Sequence, residues 1–147
     1  MLEPDRSDNR NGKKKRYVDR ARPIRDWKEE QVWEIIERYK VVSHPCYYMG
    51  WSRCSCKFCI FGNADQFASA FFVSPIIGNK LVLLETDFGV TLKRSTTLAE
   101  LVSTGSPYDT ITDELKNIST NKVYAGEIFA KNWILPSGAY GEGCGPS

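Results

Sequence analysis

The stretch His44–Gly62, HPCYYMGWSRCSCKFCIFG, holds four of the five cysteines and the only histidine of a 147-residue chain. No other segment constrains the fold as much. A loop that gathers four thiols within fourteen residues either folds around what they bind or buries them as small hydrophobes. The spacing is C-x7-C-x-C-x2-C. Cys56 and Cys59 form the C-x2-C element, which lets two thiolates converge across a tight turn, and Cys46 and Cys54 can complete a four-ligand set. Thiolate sets of this kind select zinc or iron–sulfur clusters. Zinc ribbons and knuckles usually hold two C-x2-C pairs well apart, which this loop does not. Its uneven spacing and its flank of Tyr47, Tyr48, Trp51, Phe58 and Phe61 suit a cluster shielded by apolar walls. The expectation is therefore an iron–sulfur centre, [4Fe–4S], on Cys46, Cys54, Cys56 and Cys59, with zinc as the alternative.

The rest of the chain has the composition of an ordinary globular protein, 41% apolar and 26% charged. Its longest mostly apolar run, Phe67 to Ile77, is too short to span a bilayer and is interrupted by Ser and Pro. The N-terminal residues are charged and carry no apolar stretch of the secretory kind. A cytoplasmic, reducing location is expected, in which cysteines serve as ligands or reactive thiols rather than disulfides. Residues 1–25 carry nine Lys or Arg against four acids and read as a basic arm. Such an arm can meet nucleic-acid phosphates or remain solvated.

The punctuation of the chain predicts a mainly helical domain over 26–135. Asp26 with Glu29 reads as a capping box, and Val32, Trp33, Ile36 and Tyr39 recur at helical spacing, which predicts a helix over 27–40. His44-Pro45 ends that regularity, and the cysteine segment 44–62 reads as loop. NADQFASAFF predicts a short helix whose apolar face is Phe67, Phe71 and Phe72. Ser74 as cap, Pro75 at the first turn and Gly89 as stop predict the next helix. Thr97 and Glu100 form a capping box closed by Gly105, and a further helix is expected near Thr112 to Ile118. Beyond Pro136 the chain is a Gly-rich tail, 136–147, that cannot hold one conformation unaided.

One combination of residues is more specific. Pro23-Ile24, Trp27, Val32-Trp33, His44-Pro45, Tyr47, Gly50, Arg53 and Cys56-x2-Cys59 resemble the C-terminal half of the phosphoadenosine-phosphosulfate (PAPS) reductase family. That family reads PI-x-dW-x4-VW, then HP-x-Y-x2-G, then an Arg shortly before C-x2-C. The stretch Arg6 to Arg10 resembles its phosphate-contacting segment, although the Glu and Ser of that segment are not matched. The likeness covers residues 6 to 75 well and the last third weakly.

The resemblance implies the C-terminal part of an α/β adenine-nucleotide (PP-loop) fold, several groups of which hold a [4Fe–4S] cluster on cysteines placed as here. The family's phosphate loop, SGGKDS, has no counterpart in this sequence; STGSPYD, Ser103 to Asp109, lacks the glycine pair and the Lys. The nucleotide-binding half would have to come from further sequence or from a partner chain. On this reading Arg53, with Arg6 and Arg10, contacts sulfate or phosphate. The lone histidine, His44, could serve as a ligand or as an acid/base group, but the resemblance implies a structural role, setting with Pro45 the turn into the loop. Cys144, in GEGCGPS, is similar to the nucleophilic tail cysteine that family members use on an adenylylated sulfate and resolve with thioredoxin. It departs from that tail by the inserted Gly143 and by lacking Leu-His. Two alternatives stand beside this one. The first is sulfur transfer to nucleic acid by a relative of the DNA-phosphorothioation enzymes, with the basic arm on DNA. The second is a non-enzymatic accessory domain whose metal staples a loop.

Overall fold

A computed structural model describes residues 2–4 and 19–141. It is mainly helical, with strand confined among these residues to one short antiparallel pair, β1 (Leu2–Pro4) against β2 (Asp19–Ala21). Six helices follow: α1 (Glu29–Arg38), α2 (Pro45–Tyr48), α3 (Ala64–Val73), α4 (Pro75–Phe88), α5 (Leu98–Thr104) and α6 (Asp113–Thr120). The basic residues Arg6, Arg10, Lys13, Lys14, Lys15 and Arg16, and Cys144 in the tail, lie outside the described residues.

Local chemistry sets most of the helix ends. Asn63 caps α3 by accepting from the N–H of Gln66, and Thr97 and Thr112 do the same at α5 and α6 from Glu100 and Leu115. Pro75 opens α4, where its missing N–H costs nothing, and Gly89 closes it in the left-handed conformation at φ 63°. The start of α1 differs from the sequence expectation. Asp26 lies in a turn over 23–26, and the helix begins at Glu29 rather than at 27, with the Gln31 side chain accepting from the N–H of Lys28 at 2.8 Å.

Helix α3 organises the domain. It packs on α4 and α5 on one side, and its Ala70 and Val73 meet Met49 and Trp51 of the cysteine segment on the other. Phe67, Leu98, Pro136 and Ser69 are the largest fully buried side chains among the described residues. Phe72, expected on the apolar face, is instead 49% exposed, with the Lys116 ammonium 4.4 Å above its ring. A helix buried on two sides fits small residues such as Ala68, Ser69 and Ala70 beside the one fully buried aromatic, Phe67, and Phe72 is left at the surface.

Polar side chains tie the elements together. The Glu85 carboxylate on α4 accepts from the N–H of Leu92 and of Leu98, which fixes the start of α5. Ser69 accepts from Tyr108 N–H at 2.9 Å, and Asp65 from Ser106 N–H at 2.8 Å. Near the end of the described chain, Val41 bridges Phe129 and accepts from the indole N–H of Trp133. Residues 136–141, expected as the start of the tail, form turns against α2: Gly138 N–H donates to Tyr47 O and the Ser137 hydroxyl to Tyr48 O, both at 2.8 Å. The outer face of α4 stays apolar and open, with Ile76 84%, Leu83 64% and Phe88 71% exposed. No described helix is long and apolar enough to cross a membrane.

Candidate metal centre

The cysteine segment starts with one turn of helix. His44 is the N-cap of α2, its ring Nδ1 accepting from Cys46 N–H at 3.2 Å, and Pro45 occupies the first turn. This turn points Tyr47 inward, where its ring meets buried Trp33 of α1 edge-on at 5.3 Å. The Tyr47 hydroxyl accepts from Cys54 N–H at 3.2 Å. One tyrosine therefore anchors the loop to α1 and draws the backbone of Cys54 back to the turn that carries Cys46. Trp51 N–H closes on Cys46 O at 3.0 Å, and the Trp51 ring packs edge-on against Tyr108.

The outcome is a convergence of three donors. A ring nitrogen of His44 and the sulfurs of Cys46 and Cys54 all lie within 4.8 Å of one another. They line a cavity of about 70 Å³ together with Cys56, Arg53 and Lys57. None of the four described cysteines of the loop is in a disulfide. Burial pushes the Cys46 thiol up to about 12, and the Cys54 thiol beside it adds to the effect. A thiol whose ionisation is opposed by burial and by a second sulfur beside it is an arrangement that a cation relieves.

Cys59 has a different environment. It borders a smaller recess of about 10 Å³, shared with Cys56 and Arg53, and is not within the group of three. Its sulfur accepts from Arg53 Nη2 at 3.3 Å. The backbone N–H of Phe61 does most to hold this thiol below its ordinary range, and Arg53 and Ser55 contribute further. Arg53, expected as an anion contact, thus has one guanidinium nitrogen on Cys59. Its Nε is buried without a hydrogen-bond partner. Lys57, which the sequence reading passed over although it sits in the Cys56–Cys59 spacer, donates to Ser74 Oγ at 2.7 Å. Burial lowers its pKa.

The donor chemistry fits a thiophilic ion: two thiols and an imidazole in reach of one point, a third thiol on the same wall, and an under-partnered guanidinium beside them. Of the sequence-derived ligands, Cys46 and Cys54 are brought together, Cys56 is adjacent, and Cys59 is turned toward Arg53. His44, read as structural, does cap α2 and is also a donor of the group. No protein-family model, curated protein or solved structure matches this chain.

Proposed function

We propose that the chain is the metal-bearing, C-terminal portion of a PAPS-reductase-like protein that acts on activated sulfate or sulfur, and that its centre is iron–sulfur ahead of zinc. The observation that carries this reading is the cavity in which soft donors and two cations, Arg53 and Lys57, face one space. Thiolates next to a guanidinium and an ammonium suit an anionic sulfur group better than a neutral ligand. An iron–sulfur centre there would supply thiophilic iron beside the bound anion.

The chain's own residues would do the positioning. The buried Arg53 Nε gains a partner when an oxyanion enters, and its Nη2 keeps Cys59 oriented meanwhile. The Lys57 ammonium, partly withdrawn from water, gains by neutralisation. Trp51, Met49 and Val73 form apolar walls to the cavity. In this reading a PP-loop half, in further sequence or a partner chain, binds the nucleotide, and Cys144 is the nucleophile that thioredoxin would resolve.

Iron, acid-labile sulfide and zinc per chain, measured on protein purified without oxygen, test the proposal. The expected result is about four irons and four sulfides with a broad absorbance near ~400 nm. One zinc and no sulfide would make the loop a structural staple and favour an accessory domain. Absence of both metals would overturn the metal-centre reading altogether.

A further inference from the structure

We propose that His44 is a metal ligand, and that the donor set is His44, Cys46, Cys54 and Cys56, with Cys59 left to Arg53. This inference rests on the metal-centre reading above and changes its ligand set. The four donors line one cavity, from which Cys59 is absent. Three of them already lie within 4.8 Å of one another.

The placement of the ring supports ligation. The Nδ1 atom accepts from Cys46 N–H, which holds the imidazole beside the cysteine that opens the loop. The contact is long, at 3.2 Å, and is held by a backbone N–H two residues ahead. A cation near the Cys46 and Cys54 sulfurs lies within reach of a ring nitrogen of His44. Pro45 and the single turn of α2 fix where His44 can lie relative to Cys46. Zinc and iron both accept such mixed nitrogen–sulfur sets.

Cys59 is accounted for without a metal. Arg53 Nη2 donates to its sulfur, and it borders the adjoining recess lined by Gly62 and Phe67. Drawing it into the set would leave the guanidinium without its one sulfur contact.

The test is a zinc titration of the full chain and of two variants, with X-ray absorption on the zinc-loaded wild type. His44→Asn keeps the cap, because the Asn side-chain oxygen accepts the same N–H. It removes the ligand, and its apparent zinc affinity should fall by at least about tenfold. Cys59→Ser should bind one zinc per chain at close to wild-type affinity. The absorption edge should fit about one nitrogen to three sulfurs. Undiminished affinity in His44→Asn, loss of affinity in Cys59→Ser, or a four-sulfur fit would each overturn this ligand set. A wild-type chain that binds neither zinc nor iron would instead overturn the metal-centre reading on which it rests.

Discussion

At the scale of single residues, Gly138 and Glu100 give the sharpest expectations. A Cβ at Gly138 would run into the carbonyl of Trp51, so only glycine lets the end of the described chain lie against the loop. Gly138→Ala should destabilise the protein by about 1–3 kcal/mol, read from the denaturant midpoint. Amide exchange should quicken first at residues 136–141 and at Trp51. Glu100 closes the cap of α5: the backbone N–H of Thr97, and then its hydroxyl, hold the Glu100 carboxyl below its ordinary range. A carboxyl depressed in the folded state stabilises above its unfolded pKa, and that contribution is lost as pH falls through the folded value. The melting temperature should therefore drop on acidification through the carboxylate range, and Glu100→Gln should flatten that part of the curve.

At the scale of elements, α3 carries the core and α4 carries an open face. Phe67→Ala removes one of the most buried side chains from α3 and should cost about 3–5 kcal/mol. Leu83→Glu on the outer face of α4 should change stability by no more than about 0.5 kcal/mol, because that residue is 64% exposed. Chemical denaturation of the two variants side by side checks both numbers. Thr97→Ala, which deletes the α5 cap, should fall between them at about 1 kcal/mol. These elements were also the most legible from sequence. The start of α4 at Pro75, its end at Gly89 and the cap of α5 at Thr97 are set by backbone chemistry within three residues of the helix end. The start of α1 was not legible, since Asp26 with Glu29 and Lys28 with Gln31 are both available and the turn over 23–26 selects the second. Nor was the exposure of Phe72, which depends on what α3 packs against.

At the scale of the whole molecule, two regions of different strength meet at α3. The α3–α4–α5 side is held by apolar packing and by the Glu85 carboxylate. The loop side is held by Tyr47, Trp51 and, in the proposed reading, by metal. Stripping metal with a chelator should therefore loosen residues 44–62 first. Hydrogen exchange should speed there and at the contacting 136–141 segment, while α3 and α5 stay protected. Equal loss of protection throughout would mean that the loop and the helical core unfold as one unit.

The sequence by itself determined the helix-rich class, most helix ends and the identity of the soft donors. Each of these follows from side-chain type and spacing over a few residues, where local hydrogen bonding and backbone sterics suffice. Only the tertiary structure decided which donors share a point. Cys46 and Cys54 are drawn together because the hydroxyl of Tyr47, on α2 and packed against Trp33 of α1, accepts from the Cys54 N–H, and His44 joins them through the α2 turn. Cys59, three residues from Cys56, is diverted by Arg53. Spacing along a chain limits how far apart ligands can lie, but their convergence is set by how the loop folds back on itself through Tyr47 and packs on Trp33 of α1.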